Sequence, residues 1–517
     1  MKNWKHLLPV AVVAAGFWAC SDDNTTATDC VTEQCLIEKY GEFNADSANA
    51  ANQQTPTTDS GAVNAGTSDS GASATEPADS TTANPGEKLP DSTEKSNDPQ
   101  VKNDSIPNNS YTSSSSSTEN SDPESSAEAA SEVSSSSEAV EPPTPGNTFK
   151  EDFRDECPVA SVPDVKGSAK LPDPFTMFDG SKVTTKDQWK CRREELSALL
   201  EKIELGEKPR HPEKVEGSYS GGNLTVKVTD KGNSISFSVK ISDGGTKDKP
   251  KPAIIGFGGG SLDYSGLDIA SISFNPDDLA PESSRGSGNF YKLYGSNHSA
   301  GALIAWAWGI SRVIDALETT PEAGIDVHHL GVTGCSRWGK GALVAGAFDA
   351  RFALVIPQES GSGGASNWRS AAKDSEAQPL SSACTEAPWF RSSLCDYKND
   401  VTKLPTDHHY LTGMVAPHGL LVLDNTGWVW LGEGASYANA MSTVEIFKAL
   451  GSEKDFTYSK AANHMHCSFP AENKDELTAF VKKYLFDDDS QSTGKIEAKG
   501  VNYNAADWQD WETPTLN

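Results

Sequence analysis

The sequence has few basic residues and no long apolar run. Of its 517 residues, 44 are Lys or Arg and 73 are Asp or Glu, which gives a formal net charge of −29. A protein that binds a phosphate backbone needs a basic face, so this balance argues against nucleic acid as a partner. A run of about 20 apolar residues, the length that crosses a bilayer as a helix, is also missing. The sequence therefore predicts no membrane-spanning helix.

The first twenty residues resemble an export signal. Lys2 and Lys5 precede an apolar stretch over residues 7–17, which is too short to span a bilayer. Ala19 and Cys20 follow, and the acidic segment begins directly after them. This pattern resembles the bacterial lipobox, in which the cysteine is lipidated and becomes the mature N-terminus. We predict a signal peptide over residues 1–19, export, and a lipid anchor at Cys20 as the only membrane contact.

The alternative for this segment is an ordinary cleaved signal, with Cys20 discarded or free. The lipoprotein interpretation places the protein in the bacterial outer membrane, at the cell surface or in the periplasm. Either interpretation predicts an exported protein.

Residues 20–148 contain almost no aromatic side chain. The span is rich in Ser, Thr, Asn, Asp, Ala and Pro, and residues 21–150 hold 23 acidic but only 5 basic residues. Such a composition offers too little apolar surface to offset the chain entropy lost on folding. We predict a disordered acidic tether here and a folded domain over 149–487. The tail, 488–517, carries Trp508 and Trp511, and its packing is left open.

Predicted strands and helices alternate along the folded part. We expect a hairpin over 223–241, later strands at 252–257, 330–334, 352–356, 420–423 and 456–459, and helices at 302–318, 339–348, 435–450 and 473–485. Repeated strand–helix alternation predicts an α/β fold, a mostly parallel sheet with helices on both faces. Ligands of such sheets bind at the carboxyl ends of the strands.

The junction after the strand at 330–334 is the most informative site. It reads Gly334-Cys335-Ser336-Arg337-Trp338-Gly339-Lys340. Glycines before and after Ser336 permit a sharp turn that presents its hydroxyl at a helix N-terminus, as in a nucleophile elbow. The second glycine comes one position later than in the usual Gly-x-Ser-x-Gly. From spacing alone, Ser336 is either a catalytic nucleophile or the N-cap of the helix.

A serine nucleophile needs a histidine base and an acid that orients it. His464 and His466 lie between the last strand and the last helix, where α/β-hydrolases place their base. Glu359 and Asp424 follow earlier strands, and each is either the acid or a structural hydrogen-bond acceptor. The His-x-His pair is also compatible with metal binding, but no third ligand of suitable spacing is evident, so we predict no metal.

The segments around these residues resemble the glucuronoyl esterases, carbohydrate esterase family 15. The junction matches the family signature Gly-Cys-Ser-Arg-x-Gly-Lys. Further matching segments follow in the family's order, namely Cys157-Pro158, Asp173-Pro174-Phe175, Trp189, Cys191-Arg192-Arg193-Glu194, 304–309, 357–361, Pro388-Trp389-Phe390, Asp407-His408-His409, Trp430-Leu431-Gly432 and 466–470. The resemblance covers about 157–485 and implies an α/β-hydrolase fold, a three-layer sandwich.

The resemblance implies a role for each catalytic residue. Ser336 matches the nucleophile, His466 the base and Glu359 the acid, while Asp424 is kept as an auxiliary or alternative acid. His464 is left as a support. Arg337 matches an arginine that stabilises the oxyanion, because its guanidinium is always charged. The alternative for Arg337 is an ion pair with a surface carboxylate.

The resemblance also implies sugar-binding residues. Lys340 and Glu386 match side chains that bind hydroxyls of the uronate ring, Gln378 matches a glutamine by its spacing to Glu386, and Trp430 matches an aromatic ring beside the sugar. Each has a structural alternative: a solvated lysine, a capping glutamate, a core tryptophan.

Nine cysteines in an exported chain suggest disulfides. The family pairs the positions of Cys335 and Cys467, and those of Cys157 and Cys191. Its third pair would fall near Asn367 and Asn439, where this chain has no cysteine. We expect Cys384 and Cys395, 11 residues apart, to form a separate bridge. That leaves Cys20 for lipid and Cys30 and Cys35 for each other.

The implied reaction is hydrolysis of an ester between (4-O-methyl)glucuronic acid, a branch of glucuronoxylan, and a lignin alcohol. It proceeds through an acyl-enzyme and needs no cofactor, and we expect a monomer. Another carbohydrate serine esterase on the same fold, such as an acetyl-xylan esterase, is the alternative. A surface-binding lipoprotein with an inactive hydrolase fold would lack a catalytic residue, and none is missing by sequence.

Overall fold

The computed structural model describes residues 149–462, 464–498 and 500–517, all of which belong to one compact unit. The predicted signal peptide over 1–19, the lipidation site Cys20, the acidic tether and the pair Cys30 and Cys35 lie outside the described residues. In the described part of the chain, no helix has both the length and the apolar character needed to cross a membrane.

Nine strands of the described residues form a single sheet. They are β1 (Lys214–Ser220), β2 (Asn223–Asp230), β3 (Asn233–Ser242), β4 (Lys251–Phe257), β5 (Ala270–Phe274), β6 (Ile325–Cys335), β7 (Leu354–Gln358), β8 (Gly419–Asn425) and β9 (Phe456–Ala461). Their spatial order is β1-β2-β3-β5-β4-β6-β7-β8-β9. The pairs β1–β2, β2–β3 and β3–β5 are antiparallel, and every pair from β5 to β9 is parallel.

Nine α-helices accompany the sheet in the described residues. They are α1 (Lys186–Leu200), α2 (Asn289–Tyr294), α3 (Ala302–Glu318), α4 (Arg337–Phe348), α5 (Trp368–Ala371), α6 (Leu380–Glu386), α7 (His408–Gly413), α8 (Glu433–Ala449) and α9 (Lys474–Leu485). A π-helical turn, Glu201–Leu205, extends α1, and Thr185 begins α1 with a capping box to Gln188.

Alternate residues of the parallel strands face two different helix layers. Ile255 and Val355 belong to the large core that includes α3 and α4. Their neighbours Ile254 and Leu354 belong to a second core, which α9 covers with Leu477 and three other apolar side chains. Because successive strand residues point to opposite faces, this division produces three layers. The predicted three-layer α/β architecture is confirmed.

The strands are longer than their apolar runs. The sequence predicts a strand at 330–334, whereas β6 begins at Ile325, because its first half carries polar residues on a partly exposed stretch. Helix α4 begins at Arg337 rather than 339, directly after Ser336. The short strand β5 and helix α1 were not predicted: β5 alternates buried and half-buried residues, and α1 buries charged side chains such as Arg193.

Residues 488–517 pack on the domain through backbone and ring contacts. Leu516 donates its N–H to the carbonyl of Ala449, and Leu171 donates to Trp508. The Trp511 ring stacks on His409 at a centroid distance of 5.6 Å. The packing of this tail, which the sequence left open, is therefore against the folded domain.

Candidate active site

Ser336 occupies the turn between β6 and α4. The glycines on either side are required by close packing: a Cβ on Gly339 would lie 2.6 Å from the carbonyl oxygen of Gln358, and one on Gly334 would overlap the backbone of Trp338. The Ser336 N–H donates to that same Gln358 carbonyl over 2.9 Å. These contacts fasten the turn to the neighbouring strand β7.

The conformation of Ser336 separates its two predicted roles. Its φ is +58° and its ψ is −128°, a backbone conformation that residues other than glycine rarely adopt. Although Ser336 stands at the N-cap position of α4, its hydroxyl makes no capping hydrogen bond to the helix. A capping serine has an extended backbone and bonds to the helix N–H groups. The geometry is that of a strained elbow rather than a cap.

His466 lies buried in the loop after β9, with Nδ1 2.7 Å from Oε2 of Glu359. The disulfide between Cys335 and Cys467 joins the residue before Ser336 to the residue after His466, with the two Cα atoms 5.6 Å apart. The bridge therefore brings the predicted nucleophile and the predicted base into one cluster, although 132 residues separate the two cysteines.

Glu359 follows β7 and is held by four donors. Its Oε2 accepts hydrogen bonds from His466 Nδ1, from the Cys467 N–H at 3.1 Å and from Asn425 Nδ2 at 3.2 Å. Its Oε1 accepts one from Gln358 Nε2 at 3.0 Å. Both oxygens of this buried carboxylate are thereby fixed in position. Glu359 and Cys467 also have positive φ, +47° and +63°, like Ser336, so backbone strain is concentrated at this cluster.

Asp424, at the end of β8, bonds to other partners. Its oxygens accept from the Asn425 N–H and from the Tyr458 hydroxyl, each at 3.0 Å. Burial raises the pKa of Asp424 above its ordinary value, and the nearby charge of Glu359 acts in the same direction. The carboxylate that touches His466 is therefore that of Glu359, one strand earlier than Asp424.

Arg337 directly follows Ser336 and reaches the site rim. Its Nε lies 2.9 Å from Oε2 of Glu282, and its side chain is 39% exposed. Glu282 also accepts a hydrogen bond from the Trp389 indole. The ion pair that the sequence left as an alternative is therefore present.

Lys340 is one helical turn after Ser336 and is only 2% exposed, so the solvated alternative is not observed. Its Nζ lies 5.1 Å from the centroid of the Trp389 ring, within cation–π distance. The Lys340 ammonium is thus buried against an aromatic ring.

Gln378 lies close to both Glu386 and Trp430. The Gln378 N–H donates to the Trp430 carbonyl at 2.9 Å, and its Nε2 lies 3.5 Å from Oε2 of Glu386. Glu386 is the last residue of α6, so it does not cap a helix N-terminus. Trp430 is buried, as in the core alternative, but its ring meets His466 edge-on at 5.7 Å.

Comparisons with known proteins agree on one family. The family model described as "Glucuronyl esterase, fungi" matches residues 226–451. The chain is 46% identical over 361 residues to the 4-O-methyl-glucuronoyl methylesterase of Hypocrea jecorina, covering 68% of this chain and 77% of that protein. The chain belongs to the glucuronoyl esterase family.

Solved structures of family members match the same part of the chain. A glucuronoyl esterase from Sporotrichum thermophile, a serine-to-alanine mutant in complex with methyl 4-O-methyl-β-D-glucopyranuronate, matches with a TM-score of 0.66 and 42% identity, over 69% of this chain and 99% of that one. A carbohydrate esterase family 15 glucuronoyl esterase from Caldicellulosiruptor kristjansonii matches with a TM-score of 0.59 and 30% identity, over 68% and 98%. The predicted α/β-hydrolase fold is confirmed, and the family is one of carboxylic ester hydrolases.

Three residues beside the His466–Glu359 pair were not predicted. Asn425 and Gln358 each donate to the Glu359 carboxylate, and the Trp428 indole donates to the His464 carbonyl at 3.1 Å. Asn425 Nδ2 also lies 3.2 Å from Nδ1 of His464. Asn425 and Gln358 stand at the carboxyl ends of β8 and β7, and that position was the available signal.

Three disulfides occur among the described residues: Cys157–Cys191, Cys335–Cys467 and Cys384–Cys395. Cys335, Cys467 and His466 are close enough for a metal site, but both sulfurs are already bonded to each other and cannot act as thiolate ligands. At the positions of the family's remaining pair, Asn367 caps helix α5 and Asn439 donates to the Thr412 hydroxyl.

Proposed function

We propose that this protein hydrolyses the ester between a (4-O-methyl)glucuronic acid branch of glucuronoxylan and a lignin alcohol. The single observation that carries the proposal is the 2.7 Å hydrogen bond between His466 and Glu359 beside the strained Ser336. The names of the curated relatives and the uronate ester bound in the Sporotrichum thermophile structure support the acid half of the substrate.

The first step is acylation of Ser336. His466 accepts the serine proton at Nε2, and Oγ attacks the ester carbonyl. Glu359 holds the Nδ1–H and stabilises the imidazolium that forms. The tetrahedral intermediate then collapses as His466 gives its proton to the departing alcohol, which leaves the uronoyl group on Ser336.

The second step is hydrolysis of the acyl-enzyme. Water, the only co-substrate, loses a proton to His466 and attacks the same carbonyl carbon. Collapse of the second intermediate returns the proton to Ser336 and releases the uronic acid.

Arg337 supplies positive charge for the oxyanion in this mechanism. The glycine run after β4 is in the position from which hydrolases of this fold often donate, but here its N–H groups are engaged. Gly258, Gly259 and Gly260 donate to the carbonyls of Phe274, Gly256 and Phe257. A guanidinium needs no such preorganised loop and keeps its charge at every working pH.

Lys340, Gln378, Glu386 and Trp430 form the uronate-binding wall in this proposal. Lys340 donates to ring hydroxyls and Glu386 accepts from them, while Gln378 does both. The proximity of Gln378 to Glu386 and of Trp430 to His466 supports a single continuous surface that ends at the reacting carbon.

A substrate panel tests the function. We expect rapid release of alcohol from benzyl glucuronate and slower turnover of methyl galacturonate, in which one ring hydroxyl has the opposite configuration. The acetyl ester of an acetylated xylan should be at least 10²-fold slower, the cost of losing two or three charge-assisted hydrogen bonds to the uronate ring. Equal turnover of the acetyl ester would favour the acetyl-xylan esterase alternative. No turnover of any ester would favour the binding lipoprotein.

We further propose that the protein is an exported monomer in three parts, with signal peptide 1–19, acidic tether 20–148 and esterase domain 149–487, and that the tail 488–517 completes the domain. Three disulfides support an oxidising compartment, and every site residue comes from one chain.

A lipid on Cys20 would attach the protein to the bacterial outer membrane. Palmitate labelling of wild type and Cys20→Ala tests the anchor, and light scattering tests the monomer.

A further inference from the structure

Gln358, a buried residue at the end of β7, contacts three segments of the site. Its backbone carbonyl accepts from the Ser336 N–H at 2.9 Å, and its side-chain Nε2 donates to Oε1 of Glu359 at 3.0 Å. The same nitrogen donates at 3.2 Å to the carbonyl of Ser468, two residues after His466. One side chain thus joins the acid to the loop that carries the base, and its backbone holds the turn of the nucleophile.

The neighbours of the Gln358 carboxamide fix its orientation. A carboxylate and a backbone carbonyl can only accept hydrogen bonds, so the NH2 group must face Glu359 and Ser468. On the other side of the amide, the hydroxyl of Ser261 donates to Oε1 of Gln358 at 2.5 Å. Ser261 directly follows the three glycines after β4. Both N–H groups and the oxygen of the amide are therefore engaged, and the amide has a single orientation.

Gln358 holds the Glu359 oxygen that does not touch His466. The oxygen Oε2 has three donors, among them His466 and Cys467, whereas Gln358 donates to Oε1. Nδ1 of His464, at 3.9 Å from Oε1, is too distant for a hydrogen bond. The backbone of Glu359 has a φ of +47°, a conformation that a residue with a side chain does not favour. Contacts of the side chain must therefore hold this residue in place.

We infer that Gln358 is a positioning residue, which holds the Glu359 carboxylate at the angle that His466 requires, and that Ser261 acts through it. The inference rests on the proposed function, in which His466 is the base and Glu359 the acid. The hydrogen bond between them stabilises an imidazolium that forms only during the reaction. Loss of its alignment therefore lowers kcat and leaves the binding of substrate unchanged.

Gln358→Met tests the inference, because methionine keeps the length of the side chain and removes its hydrogen bonds. We expect kcat on benzyl glucuronate to fall about 10²-fold with KM within about twofold, the effect of misplacing one catalytic group. Asn439→Ala is the matched control: it removes a buried amide of α8 that bonds to Thr412, and it should leave kcat within about twofold. Unfolding curves verify that both variants fold. Lower stability with unchanged kcat in folded Gln358→Met would show a purely structural role and overturn the inference.

A double-mutant cycle tests the role of Ser261. We expect Ser261→Ala alone to lower kcat about tenfold, since the amide loses the donor that fixes its orientation. Because Ser261 acts through Gln358, the double variant Ser261→Ala/Gln358→Met should have the same kcat as Gln358→Met. Losses that multiply to about 10³-fold would show that the two residues act independently and would contradict the inference.

Proton NMR gives a readout that does not depend on turnover. A proton shared between a histidine and a carboxylate resonates at low field, because the hydrogen bond is short and charge-assisted. We expect this signal from the His466 Nδ1 proton in wild type and in Asn439→Ala, and its loss or a shift to higher field in Gln358→Met. An identical signal in Gln358→Met would overturn the inference. If the signal responds as expected but the wild type hydrolyses no ester, only the proposed function fails.

Discussion

His466 and Glu359 are 107 residues apart in sequence, yet Nδ1 of the histidine lies 2.7 Å from Oε2 of the glutamate. The same oxygen accepts hydrogen bonds from Cys467 and Asn425, so the carboxylate is fixed independently of the imidazole. The carboxylate that bonds to His466 thus comes from the end of β7, while Asp424 at the end of β8 bonds to Tyr458.

Replacing the two acids should separate their roles. Glu359→Ala removes the group that fixes the histidine tautomer, and we expect kcat to fall roughly 10⁴-fold. Asp424→Asn should cost less than about tenfold, because Asp424 bonds to Asn425 and Tyr458 instead. Rates on benzyl glucuronate check both values. A larger loss in Asp424→Asn than in Glu359→Ala would contradict the assignment.

The disulfide beside the nucleophile should be required for activity. Cys335→Ser/Cys467→Ser releases a 132-residue loop and frees the His466 segment, so we expect at least a 10²-fold loss of kcat, the cost of a misplaced catalytic group. Cys157→Ser/Cys191→Ser, which removes the bridge between α1 and residue 157, is the matched control and should leave the rate on benzyl glucuronate within about twofold. Circular dichroism verifies that both variants fold. A folded Cys335→Ser/Cys467→Ser variant with wild-type activity would refute this prediction.

The site residues that the sequence predicted lie at or after the ends of strands. Sharp glycine turns and apolar runs marked the β6–α4 junction, and the late position of His466 marked the base. The amide side chains of Gln358 and Asn425 gave no comparable signal, because a single uncharged residue forms no periodic pattern in the sequence. Their roles depend on β7 and β8 being neighbours in the sheet, which the sequence did not establish.

The fold was predictable where burial was complete. Strand β4 has an apolar run after Lys251, and helix α3 carries buried apolar residues at helical spacing, so both were recognised from the sequence. Helix α1 was missed because it buries Arg193 and Glu194, which bond to backbone groups distant in sequence: Arg193 donates to the Met414 carbonyl, and Glu194 accepts from the Phe153 N–H. Such tertiary compensation leaves no local pattern.

The buried side chain of His408 should make the stability of the protein depend on pH. His408 donates from Nδ1 to the Gly364 carbonyl at 2.6 Å and from Nε2 to Glu204 at 3.1 Å, so both nitrogens carry protons. Burial alone would lower the pKa of His408, but the Glu204 charge raises it above the ordinary value. A raised folded-state pKa gives stability that is complete below about pH 6.5 and is lost as pH rises through the folded pKa.

Urea unfolding between pH 6 and 9 checks this effect. The difference in the free energy of unfolding between wild type and His408→Gln should shrink as pH rises. His409→Gln is the control for the sign of the effect: burial lowers the pKa of His409 to about 4, so its difference from wild type should grow as pH rises from 6 to about 7.5, where the unfolded chain loses its proton, and stay constant above that. A His408→Gln difference that does not change with pH would contradict the buried imidazolium.

The central claim is that Ser336 performs nucleophilic catalysis on a glucuronate ester. The most direct measurement is the rate of alcohol release from benzyl glucuronate by wild type and by Ser336→Ala, with unfolding curves to show that both fold equally. Loss of a triad nucleophile predicts a fall on the order of 10⁶ in kcat. Activity of Ser336→Ala within tenfold of wild type would contradict the account.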